Sequence, residues 1–143
     1  MKENQTIYIV EDNDSTRKNL CELLNILGFK TYALKDSESF EEVYNGEKGV
    51  LILDLRLPGK SGIMFFRDMQ RKYHSKFPLK TIFISGHGDV ETAVDCIQQG
   101  AVHFLTKPFK SQFLLDLVFD SLNDTGEENK APESFVEKQS VLY

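Results

Sequence analysis

The chain has little that would tie it to an oxidising or membrane environment. It holds two cysteines, Cys21 and Cys96, far apart in sequence, so a disulfide framework is excluded and a reduced, cytoplasmic protein is expected. It has no tryptophan and four prolines, and its longest unbroken apolar runs, such as Ile7–Val10 and Val50–Leu53, are four residues long. No run of that length spans a bilayer, so no membrane association is expected. The polar start Met1-Lys2-Glu3-Asn4-Gln5 lacks the apolar stretch of a secretory signal. Positive charge is also scarce. The net charge is −5 and the isoelectric point about 5.2, which argues against direct nucleic acid binding by this chain through phosphate neutralisation.

What is present is the composition of a folded domain: 143 residues, 41% apolar, 11% aromatic and 27% charged. Part of the acidity is local. From Asn123 onward five acids (Asp124, Glu127, Glu128, Glu133, Glu137) face two lysines, a net of −3. Hydrophobic periodicity stops at the same point, so residues 1–122 are read as one domain and 123–143 as an acidic flexible tail or linker.

Within the domain, buried-strand runs alternate with helical patterns. Thr6–Val10, Phe29–Ala33, Val50–Leu53, Thr81–Ile84 and His103–Thr106 read as strands. Between them, Leu20, Leu23, Leu24 and Leu27 recur at helical spacing, with Gly28 as the stop. A short helix capped by Ser37 or Ser39 carries Phe40, Val43 and Tyr44. A third helix turns Ile63, Phe66 and Met69 inward. A fourth, capped by Asp89, aligns Val90, Ala93, Val94 and Ile97 on one face, and Gly100 ends it. A last helix, Ser111 to Leu122, is expected to bury Phe113, Leu114, Leu117 and Val118. Gly59 and Gly62 are assigned to turn geometry, and Cys21 and Cys96 to half-buried helix positions. Five strands and five helices in strict alternation specify an α/β fold, a parallel sheet with helices on both faces.

The polar residues sit where strands end, the edge at which open α/β sheets bind ligands. Glu11 and Asp12 follow the first strand, Asp54 the third, Ser85 the fourth and Lys107 the fifth. Three carboxylates gathered there repel one another unless a cation balances them. Mg²⁺, with its preference for oxygen ligands, meets that need, as would Mn²⁺. With a lysine and a hydroxyl added, the set suits a phosphoryl group. Each residue alone has a plainer reading: Glu11-Asp12 as a helix-capping turn, Asp54 and Ser85 as loop chemistry, Lys107 as a surface lysine before a turn proline. The five together are far more specific than any one.

Asp12 after IYIV, Asp54 in LILDLRLPGKSG, Ser85 in TIFISGHGD and Lys107 in HFLTKPF resemble the receiver domain of two-component response regulators, most of all receivers of the FixJ type. The resemblance covers residues 6–122. It implies a flavodoxin-like fold with strand order 2-1-3-4-5 and a mechanism. A phosphohistidine on a sensor histidine kinase or phosphotransfer protein would donate to Asp54. Mg²⁺ would rest on Asp12, Asp54 and the backbone carbonyl of Arg56, with Glu11 acting through water. Ser85 and Lys107 would hold phosphoryl oxygens. Phe104 takes the switch-aromatic position, and Arg56 and His87 flank the phosphate and tune its hydrolysis. The face of the fourth helix, fifth strand and fifth helix would serve partner docking or a phosphorylation-dependent homodimer. Lys107-Pro108 resembles the family's cis-proline junction. Such receivers commonly precede a LuxR-like DNA-binding domain, so the implied role is transcription regulation; the alternative is a stand-alone receiver in a phosphorelay.

The sequence departs from the commonest pattern at Glu11 for Asp, Ser85 for Thr and Phe104 for Tyr. Three rivals fare worse. A phosphohydrolase would want an acid where Arg56 stands. A flavin-binding protein would want a phosphate cradle where Glu11-Asp12-Asn13-Asp14 stands. A scaffold-only relative would not need the whole set.

Overall fold

The computed structural model describes residues 5–86 and 90–123. His87, the Asp89 cap and the tail 124–143 lie outside them. Ten elements alternate: β1 Thr6–Val10, α1 Asp14–Ile26, β2 Lys30–Leu34, α2 Ser37–Val43, β3 Gly49–Asp54, α3 Gly62–Lys72, β4 Leu79–Ser85, α4 Val90–Gln98, β5 His103–Thr106 and α5 Ser111–Leu122. All strand pairs are parallel, in the order β2-β1-β3-β4-β5. No helix among the described residues is long and apolar enough to cross a membrane.

The three central strands, β1, β3 and β4, are buried on both faces because alternate side chains feed two different cores. One is mainly aliphatic. Ile7, Ile9, Val50, Ile52, Ile82 and Ile84 pack there against Leu20, Leu23 and Leu24 of α1 and Leu114, Leu115 and Val118 of α5. The other is rich in rings. Tyr8, Phe83 and Leu51 meet Phe40 of α2, Phe65 and Phe66 of α3 and Cys96 of α4. Tyr8 sits edge-on to Phe40 with ring centres 5.3 Å apart, and Phe40 edge-on to Phe65 at 5.2 Å. Helices therefore cover both faces: α1 and α5 on one, α2, α3 and α4 on the other.

Several local expectations are corrected. α2 is capped by Asp36, whose carboxylate accepts the Ser39 N–H at 2.8 Å, rather than by either serine. Val43 faces solvent. Phe65 is a full core residue, and Ile63 only borders the core. Phe113 is 51% exposed rather than inward, its place taken by Leu115. The apolar residues aligned on α4 are its outer face: Val90, Val94 and Ile97 are 79%, 47% and 45% exposed, and α4 buries Cys96 instead. Cys96 is thus fully buried, and burial pushes its thiol up to about 11. Gly59 has the positive φ of a turn glycine. Gly62 does not serve a turn: a Cβ there would stand 2.2 Å from the Asp54 carbonyl oxygen.

Candidate functional site

Register gathers the site. Val10 pairs with Leu53, so the next residues, Glu11 and Asp54, emerge side by side. Ser85 pairs with Thr106, so Lys107 follows at the same edge. Backbone bonds lock the strand ends: Glu11 N–H donates to Leu34 O at 3.0 Å, Leu55 N–H to Ile84 O at 2.9 Å, and Lys107 N–H to Ser85 O at 2.7 Å.

Glu11, Asp12 and Asp54 each bring a carboxylate oxygen within 4.8 Å of the others. Glu11 is fully buried and Asp54 nearly so, while Asp12 is exposed. Lys107 enters from β5 across a cis peptide bond to Pro108. Its Nζ donates to Glu11 Oε1 at 2.7 Å and lies 3.5 Å from Asp54 Oδ2. Glu11 Oε2 accepts the Asn13 N–H at 3.1 Å, and Asp54 Oδ1 accepts the Arg56 N–H at 3.0 Å.

Burial raises the Glu11 carboxyl above its ordinary range, and its hydrogen bond with Asp54 adds to that; Lys107 and the Asn13 N–H pull the other way. For Lys107, burial works to lower the ammonium, but its bond to Glu11 and the charges of Glu11 and Asp54 outweigh it, and the net shift is upward. Three carboxylates and one ammonium leave a negative excess, much of it out of water. The donors are all oxygen, which fits a hard divalent cation and not a thiolate- or imidazole-seeking metal.

The remaining candidates divide. Ser85 is fully buried at the end of β4. Phe104 lies opposite Phe83 in the register, partly buried against the ring-rich core. The Arg56 side chain is exposed, and its backbone N–H donates to Asp54 Oδ1. His87 is outside the described residues. Two residues at the start of α1, its cap Asn13 and Arg17 of its first turn, escaped the sequence reading. Asn13 caps α1 by accepting the Thr16 N–H at 2.8 Å. Arg17 donates to the Glu11 carbonyl at 2.9 Å. Arg17 did leave a signal: a cation in a helix's first turn opposes the helix dipole and calls for a local reason.

A cavity of about 690 Å³ lies beside this edge between Asp36, Glu41, Pro58 and Lys60 and is not lined by the clustered carboxylates.

Comparison with known proteins gives one consistent result. The family model described as "Response regulator receiver domain" matches residues 7–119. The transcriptional regulatory protein FixJ of Rhizobium meliloti is 35% identical over 117 residues, covering 79% of this chain and 54% of that protein. Nodulation protein W of Bradyrhizobium diazoefficiens is 32% identical over 137 residues, 95% of this chain and 59% of that protein. Among solved structures, FixJ-N matches with a TM-score of 0.67 at 35% identity, over 80% of this chain and 90% of that one. Full-length FixJ from B. japonicum matches with a TM-score of 0.74 at 30% identity, over 85% and 59%. The chain thus spans little more than half the length of the curated relatives it matches.

Proposed function

This chain belongs to the response regulator receiver domain family, and from that premise we propose that Asp54 accepts a phosphoryl group from a phosphohistidine of a sensor histidine kinase or phosphotransfer protein. The observation that supports this reading most is the pairing of a nearly buried Asp54 with two carboxylates within 4.8 Å and an ammonium at 3.5 Å.

Asp54 attacks phosphorus, a P–O bond forms and the P–N bond breaks. The bond's electron pair returns to the imidazole, which keeps its other ring proton and leaves neutral. The Arg56 N–H on Oδ1 fixes the carboxylate plane for that attack. Asp12, Asp54 and the Arg56 carbonyl would hold Mg²⁺, or Mn²⁺, with Glu11 acting through water. The cation, when bound, supplies positive charge for the phosphoryl oxygens. Lys107 exchanges part of its contact with Glu11 for a phosphoryl oxygen, and Ser85 donates its hydroxyl to another. Arg56 and His87 tune hydrolysis of the acyl phosphate.

Phosphorylation then biases the face of α4, β5 and α5 through Ser85 and Phe104. The outward Val90, Val94 and Ile97 give that face the apolar surface a phosphorylation-dependent homodimer needs. The lengths of the relatives favour a longer regulator in which residues 123–143 link the receiver to a DNA-binding part working in the cytoplasm.

The test is intact mass after incubation with Mg²⁺ and acetyl phosphate. The wild type gains one phosphoryl group and Asp54→Asn gains none; equal uptake by the variant refutes the acceptor assignment.

A further inference from the structure

The loop from β1 to α1 delivers two of the three clustered carboxylates, and a guanidinium grips it from behind. Arg17 Nη1 donates to the carbonyl oxygens of Glu11 at 2.9 Å and Asp12 at 3.4 Å. Its Nη2 pairs with Asp14 Oδ1 at 2.5 Å. The Arg17 backbone N–H also donates to Asn13 O at 2.9 Å, so one residue spans the whole turn. Arg17 is only 21% exposed at its side chain, although its Asp14 partner is 91% exposed.

This grip matters most for Asp12. Its carboxylate is exposed and hydrogen-bonds no partner among the described residues, so its aim is set by its backbone. Glu11, by contrast, is also fixed at its tip by Lys107 and Asn13. A planar fork with several donors can hold two carbonyls and a carboxylate at once; an ammonium cannot reproduce that geometry.

We propose that Arg17 is a positioning residue for the divalent cation: it fixes the backbone of Glu11 and Asp12 so that their carboxylates converge with Asp54. The inference rests on the reading that the acidic cluster binds Mg²⁺. It differs in sign from the simple charge effect, since a nearby cation by itself opposes a second cation.

The experiment is titration calorimetry with MgCl₂ on the full chain, with free Mn²⁺ counted by electron paramagnetic resonance as an independent readout. Wild type, Arg17→Lys, Arg17→Gln and Asp14→Ala are compared. Both Arg17 variants raise the dissociation constant about tenfold, the scale of lost support behind metal ligands. Asp14→Ala, which frees one arm of the fork, raises it less. Acetyl phosphate labelling of the Arg17 variants recovers at high Mg²⁺. A role in stability alone would lower the melting temperature in EDTA and leave the dissociation constant unchanged. Unchanged affinity in the Arg17 variants, or tighter binding by Arg17→Gln, overturns the inference. If neither Arg17 variant folds, wild-type affinity in Asp14→Ala overturns it. A wild type that binds no divalent cation overturns the metal reading itself and takes this inference with it.

Discussion

Lys107 grips Glu11 more closely than it grips Asp54: its Nζ lies 2.7 Å from Glu11 Oε1 and 3.5 Å from Asp54 Oδ2. The extra methylene of a glutamate at position 11 lets one carboxylate reach both this ammonium and the Asn13 N–H. The lysine is thereby held beside Asp54 with its shorter contact on Glu11.

Removing that ammonium leaves buried carboxylates without their cation. Lys107→Met is expected to lose about 3 kcal/mol of stability in EDTA. Saturating Mg²⁺ should then raise its melting temperature by more than it raises that of the wild type, because the variant carries a larger negative excess. Thermal unfolding with and without MgCl₂ checks both halves; an equal Mg²⁺ response in the two proteins contradicts the charge balance proposed for the site.

The raised Glu11 carboxyl fixes the sign of a pH dependence. Between its ordinary value near 4.5 and its raised native value, the folded chain binds more protons than the unfolded one. Glu11 therefore makes stability fall as pH rises through that window. Asp36, lowered chiefly by its hydrogen bond with Ser39, and Asp68, lowered chiefly by Lys60, act elsewhere: their contributions are lost as pH falls below about 3.8. Asp54→Asn removes the neighbouring charge, so in EDTA it should flatten the fall and gain about 1 kcal/mol near neutral pH. Urea unfolding at stepped pH is the measurement, and a variant less stable than wild type at every pH speaks against the account.

Much of this was legible in the sequence, and the reasons are local. Apolar β-branched runs of four or five residues, each ended by an acid, serine or lysine, mark strands and their functional edge together. Boundaries moved by a residue or two, as at β2 and β4, because pairing with a neighbouring strand extends a strand past its apolar stretch. Periodicity failed where it cannot carry direction. Val90, Val94 and Ile97 do lie on one side of α4, but spacing alone does not say which side meets the sheet. Phe113 misled in the same way, since Leu114, Leu115 and Val118 already fill the α5 contact. Gly62 was assigned to the wrong cause because its contact, the Asp54 carbonyl, comes from another element. Arg17 went unread because two of its partners are the backbone oxygens of Glu11 and Asp12, and its unfavourable place in the first turn of α1 does not say what it grips.

Gly62 gives a sharp mutational test. A methyl group there meets the Asp54 carbonyl oxygen at 2.2 Å and the Leu55 Cα at 3.0 Å, and neither backbone can swing aside cheaply. Gly62→Ala should cost about 1–3 kcal/mol by overpacking, more than the roughly 0.5–1 kcal/mol a helix gains from alanine. It should also slow phosphoryl uptake, because the displaced backbone is that of Asp54, the proposed acceptor. Retained stability together with a wild-type labelling rate would show that the contact relaxes.

The outward face of α4 makes a prediction about assembly. Beryllofluoride, which mimics the phosphoryl group on an aspartate, should shift the protein toward a dimer in analytical ultracentrifugation. Val94→Glu should hold it monomeric while leaving acetyl phosphate labelling intact. A monomer under every condition removes the homodimer and leaves the phosphorylation chemistry untouched.

The central claim concerns one atom pair, a carboxylate oxygen of Asp54 and phosphorus. Borohydride reduces an acyl phosphate of aspartate to homoserine, a permanent mark of the acceptor. After labelling with acetyl phosphate and Mg²⁺, peptide mass spectrometry should find homoserine at position 54 and at no other aspartate, with none formed in EDTA. Homoserine at Asp12 instead, or labelling that proceeds equally without a divalent cation, would contradict the account.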